Sequence, residues 1–103
     1  MQAIVNKAKK LQGSANEEAK GHLITAAECL ELCEKNNYRP MHSTSAQVDT
    51  HIALIYEAAE NVTKAARLDT QHNAELTRFA SNLTALADAT QALMDTVVKT
   101  ARF

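Results

Sequence analysis

Residues 45–103 read SAQVDTHIALIYEAAENVTKAARLDTQHNAELTRFASNLTALADATQALMDTVVKTARF, with neither glycine nor proline. Written as heptads, one row is Val48, Ile55, Val62, Asp69, Leu76, Leu83, Thr90, Val97. Its companion is Ile52, Ala59, Ala66, Asn73, Ala80, Ala87, Met94, Ala101. Apolar residues recurring at steps of three and four are what a helix needs to bury one face. One row holds mainly branched aliphatics and the other mostly alanine. A partner helix can then approach closely, near the short end of the roughly 8–10 Å interaxial range. The class predicted is all-α, helix packed on helix.

The stripe is broken where Asp69 and Asn73 take seam positions among Thr70, Gln71 and His72. Burying such groups without partners is costly. Two arrangements fit. The chain turns between Leu68 and Asn73 and makes two antiparallel helices, or one long helix runs through with a polar notch. Ordinary helix lengths and the capping ability of Asp69 or Thr70 favour the turn, whereas the unbroken heptad phase favours the through-going helix.

Upstream, residues 3–12 place Ile4, Ala8 and Leu11 on one side and Lys7, Lys9 and Lys10 around the rest, a short amphipathic helix packed on the bundle. Gly13 interrupts it, and Ser14-Ala15-Asn16-Glu17 matches a capping box, which places a helix boundary there. Leu11, Gly13, Ser14 and Ala15 also resemble part of the His-x-Leu-Lys-Gly-Ser-Ala motif of histidine phosphotransfer domains. Lys9 stands where that family has its phosphorylated histidine, so no phosphoacceptor carries over. The likeness shows that Gly-Ser also sits inside continuous helices, which leaves the break at Gly13 open. From Ala15 to Lys35 the apolar side is Ala19, Leu23, Ala26, Ala27, Leu30 and Cys33, and Asn36 to Pro40 end the helix. Thr44-Ser45-Ala46-Gln47 is a second capping box that starts the next helix. The architecture predicted for residues 1–103 is a single-domain antiparallel up-down bundle. Its long helices are Ala15–Lys35, Ser45–Leu68 and Thr70–Arg102, with the short N-terminal helix packed on them or continuous with the first.

Composition narrows function. The net charge of −1 removes the global signature of a nucleic-acid binder. No stretch approaches the roughly 20 apolar residues of a membrane span. Nothing near Met1 resembles a signal peptide, so Asn61 and Asn82 read as accidental glycosylation triplets, and the two cysteines as reduced thiols in the cytoplasm. With two glycines in the chain there is little material for a phosphate-cradling loop, and neither a nucleophile elbow nor a metalloprotease His-Glu motif occurs.

Cys29 and Cys33 lie one helical turn apart and could supply half the ligands of a soft metal ion, with His51 or His72 as donors from other helices. Against this, both cysteines suit a small core position. Threonines at 63, 70, 77 and 84 repeat every seven residues beside the seam, as a half-exposed margin or a helix contact. Leu54, Tyr56, Phe79, Leu86 and Leu93 fall at or beyond the flank of the main seam, where a second subunit would cover them. The function expected is therefore non-enzymatic association, as a homo-oligomer and with a protein partner, without a cofactor. A metal- or ligand-binding bundle built on Cys29 and Cys33 is the alternative.

Overall fold

This computed structural model describes residues 1–39 and 42–101, with side chains as far as residue 96. Pro40, expected to terminate a helix, and the seam side chains of Val97 and Ala101 lie outside what is described. The described residues form four helices and no strand: α1 (Gln2–Ser14), α2 (Glu17–Lys35), α3 (Ser45–Leu68) and α4 (Asn73–Ala101). The bundle is 51 Å long and 22 by 17 Å across. Extensive packing joins α1 to α2, α2 to α3 and α3 to α4, in the up-down order expected. No comparable packing joins α1 to α4 among the described residues.

Alanines contributed by all four helices let the bundle pack closely. Ala8, Ala19, Ala26, Ala58, Ala65 and Ala87 are completely buried, and between them fit Val5, Leu23, Leu30, Ile55, Val62, Leu76 and Leu83. These side chains form one cluster drawing on all four helices. Removing each fully buried aliphatic of this size from water contributes about 1.5–3 kcal/mol.

The polar break in the stripe is a turn. Asp69 has non-helical angles (φ −120°, ψ 89°), and the final helix starts at Asn73 instead of Thr70. Asp69 is turned inward and 2% exposed. Its Oδ2 accepts from the Asn16 amide at 3.0 Å and from His72 Nδ1 at 2.9 Å, and its Oδ1 accepts from the His72 amide at 3.1 Å. Asn73 Nδ2 donates to the Ala66 carbonyl (2.8 Å), and Asn16 Nδ2 donates to that of Leu68 (2.9 Å). A seam carboxylate is tolerated because both of its oxygens meet donors. The same bonds place the α1–α2 and α3–α4 junctions side by side at one end of the bundle.

The first junction differs from expectation in detail. Gly13 and Ser14 remain helical, and Ser14 Oγ donates back to the Leu11 carbonyl instead of capping α2. The chain becomes extended at Ala15, and Asn16 caps α2 by accepting from the Ala19 amide at 2.9 Å. Asn16 prevails because its backbone amide is the one facing Asp69, which sets the residue where the helix can begin. At the far end the expected features stand. Asn37 takes a left-handed conformation (φ 54°) after α2, and the Thr44–Gln47 capping box is complete.

Thr44→Ala removes one of those capping bonds and should cost about 1 kcal/mol, read as a lower urea midpoint with an unchanged slope. Asp69 yields a pH prediction. The Asn16 amide and the His72 ring and amide, acting against burial, hold its carboxyl below the usual carboxylate range. A depressed folded-state pKa means stability present above the unfolded value of about 3.9 and lost as pH falls through the folded one. Asp69→Asn should therefore melt below the parent at pH 7, and the gap should close as both are acidified below that value.

Candidate functional site

Because α1 is 13 residues and α4 is 29, about 20 Å against about 43 Å of helix, α1 covers only part of the face that α4 turns toward it. The two helices stand apart, and between them runs an open groove. Its first part, about 450 Å³, is floored by Ile4, Phe79, Leu83 and Leu86, and rimmed by Lys7, Glu75, Arg78 and Asn82. Its second part, about 440 Å³, shares Ile4 and Leu86 and continues past Met1, Tyr38, His51, Thr90 and Leu93. Phe79 is 7% exposed and Leu83 1%, so both are covered by the chain itself, and the open apolar surface belongs to the half-buried Ile4 and Leu86 and to Leu93, 43% exposed at the far end. Lys7 Nζ crosses the first part to Glu75 Oε1 at 2.9 Å. Lys7, with His72 and Lys10 adding to it, holds the Glu75 carboxyl below its ordinary range.

Of the five residues named from sequence as a flank, Phe79, Leu86 and Leu93 line this groove. Leu54 is half-buried on α3 and lines neither part of it. Tyr56 is exposed on α3, where its hydroxyl donates to the Asp88 carboxylate, a bond that raises the phenol above its ordinary pKa. Sequence reasoning misses the contribution of α1, from Ala3, Ile4 and Lys7; the signal for it is the mismatch in length between the first and last helices. Thr63, Thr77 and Thr84 line a shallow depression between α3 and α4, while Thr70 belongs to the turn. The hydroxyls of Thr63 and Thr84 are taken up by the Ala59 and Ala80 carbonyls of their own helices. They form a margin, not a row of free donors.

The four residues considered for a metal do not converge. His72 is bound to Asp69 at the junction end. At the opposite end, Cys33 Sγ lies 3.0 Å from His51 Nδ1, and Tyr38 is tilted against the His51 ring with centroids 4.4 Å apart. Cys29 is buried one turn away, its thiol raised by burial and by the negative charge of Glu57. Among the described residues no group of three or more His, Cys, Asp and Glu side chains is placed to hold an ion. Burial pushes the Cys33 thiol up to about 11 and pulls His51 down, so both are neutral near pH 7. Both cysteines are unpaired. Among the described residues no helix is long and apolar enough to cross a membrane. No protein-family model, curated protein or solved structure matches the chain.

The thiols give a direct check. With a pKa near 11, Cys33 holds roughly a hundredfold less thiolate than an ordinary cysteine, and its side chain is enclosed. Alkylation by iodoacetamide at pH 8, followed by mass spectrometry, should modify Cys33 at least ~100-fold more slowly in the native protein than in denaturant. Fast native labelling would show that the end of the bundle opens.

Proposed function

We propose that this chain is a non-catalytic association module that takes up an amphipathic helix of a partner protein in the groove between α1 and α4. The observation that carries the reading is the pair of half-buried apolar residues Ile4 and Leu86, set beside the buried Phe79 and Leu83 in an open groove that runs on to the exposed Leu93. From Glu75 to Leu93 the groove tracks α4 for about 27 Å, the length of a helix of some five turns. An open trough of this length suits a helix lying along it, read through apolar anchors at i, i+3, i+4 and i+7, better than a compact ligand, which needs enclosure. The state of the thiols and histidines also supports association: the thiols are buried and protonated, and His51 and His72 are engaged with Cys33 and Asp69. Two unpaired thiols fit a reducing compartment, and we place the activity in the cytoplasm.

The test uses a neutral helical peptide of about 18 residues with leucines along one face and glutamine and alanine elsewhere. Its saturable binding should shift the backbone NMR signals of Ile4, Phe79, Leu83 and Leu86. Leu86→Glu should weaken it at least ~10-fold while leaving the circular dichroism melt nearly unchanged, because Leu86 is only partly buried. Shifts confined to other faces would overturn the reading. A native mass spectrum of a dimer that Leu86→Glu dissociates would also overturn it, by placing a second copy of the chain in the groove.

A further inference from the structure

We infer that the partner helix is acidic at one end, the end that lies beside Lys7, Lys10 and Arg78. The inference rests on the groove reading and adds the chemistry of the occupant.

The lysines of α1 are not one undifferentiated basic face. Lys9 is turned toward α2 and pairs with Glu31 at 2.6 Å. Lys7 reaches across the groove to Glu75, and Lys10 lies close enough to draw the Glu75 carboxyl down further. Arg78 is exposed on the α4 rim of the groove, with no acidic partner among the described residues. Lys7 and Lys10 therefore act on one carboxylate and Arg78, without an ion pair among the described residues, stands on the same rim, a local excess of two positive charges (three minus one) in a chain whose net charge is −1. The other end of the groove is uncharged in its side chains. It is walled by Tyr38, Leu86, Ala89, Thr90 and Leu93, with His51 kept neutral by burial.

A helix in this trough meets side-chain cations at one end only, the far end having the terminal ammonium of Met1 beside the neutral His51. Carboxylates one turn beyond its last apolar anchor would complete the rim, and lysines there would be repelled. The polarity of the site also selects among polyanionic surfaces. The half-buried Ile4 and Leu86 lie in a concave groove, which a helix can enter and a flat bilayer cannot. Three cations interrupted by Glu75 do not make the extended basic stripe that tracks a phosphate backbone.

The experiment compares three peptides of about 18 residues sharing the leucine face, with two glutamates, two glutamines or two lysines at one end. Binding is measured by fluorescence anisotropy in low salt and at about 0.5 M salt. The glutamate peptide should bind about tenfold tighter than the glutamine peptide, with the lysine peptide weakest, and added salt should compress the series. Lys10→Glu combined with Arg78→Glu, both at exposed positions, should invert the order. Equal affinity for all three would overturn the acidic inference while leaving the groove reading standing. Binding of none would remove both. Persistence of the order in the double variant would overturn the assignment to these cations and place the charge recognition elsewhere. Co-sedimentation with phosphatidylserine vesicles, with no preference among the peptides, would replace the protein partner by a membrane surface.

Discussion

The capture of one carboxylate organises this bundle. Asp69 occupies a position that the heptad pattern reserves for an apolar side chain, and it is held there by the amides of Asn16 and His72 and by the His72 ring. That arrangement constrains the chain in three ways. The long apolar stripe must fold back on itself at residue 69, because an extended helix would leave the carboxylate buried against apolar neighbours with no donor. The start of α2 is set at Asn16, since that residue's amide has to face the acid. The two junctions at that end are thereby tied together, and α1 is fixed in direction even though its own apolar face is short.

Packing α1 along α2, and not along α4, leaves that side open. An alanine-lined seam draws helices together only where both carry matching faces. The α2–α3 and α3–α4 pairs have such faces over most of their length, and they pack closely. Against α4, α1 presents Ile4 with Lys7 close by, and what meets it includes Phe79, Arg78 and Glu75. Bulky or charged side chains on both sides keep the helices from meeting at alanine distance. The Lys7–Glu75 ion pair then spans a gap instead of closing a seam, and an exposed pair of this kind, screened by solvent, adds little toward closing it. The gap is thus a result of the side chains that line it.

The same physics separates what is legible in the chain from what is not. Helix number, order and core are legible because they depend on periodicity: Leu23, Leu30, Ile55, Val62, Leu76 and Leu83 are all on the predicted faces and all buried. The Thr44 cap is legible because a capping box is a local code. Asn16 is not, since Ser14 is an equally good local candidate and the deciding partner, Asp69, lies 53 residues away. The groove is half legible. Phe79, Leu86 and Leu93 stand out as apolar residues beyond the seam, but which helix fails to cover them is a matter of tertiary spacing, and Leu54 and Tyr56 look no different in sequence. Cys33 and His51 share no motif; 18 residues and a loop separate them.

That last pair also explains why the far end of the groove has no charged side chain among the described residues. A thiol pushed up to about 11 keeps its proton at any ordinary pH, so in the 3.0 Å contact it has a hydrogen to give. Cys33 Sγ is nearer to His51 Nδ1 than to the His51 carbonyl, which lies at 3.6 Å. The thiol donates to that carbonyl and also contacts the ring nitrogen, and His51 lines the groove. A metal at this pair would have to displace the proton from a thiol that burial holds against ionisation. The open side of the bundle so carries the side-chain cations Arg78 and Lys10 toward one end and, at the other, a neutral thiol–imidazole pair beside the terminal ammonium of Met1, a difference set by Arg78 and Lys10 on the surface and by Cys33 in the core.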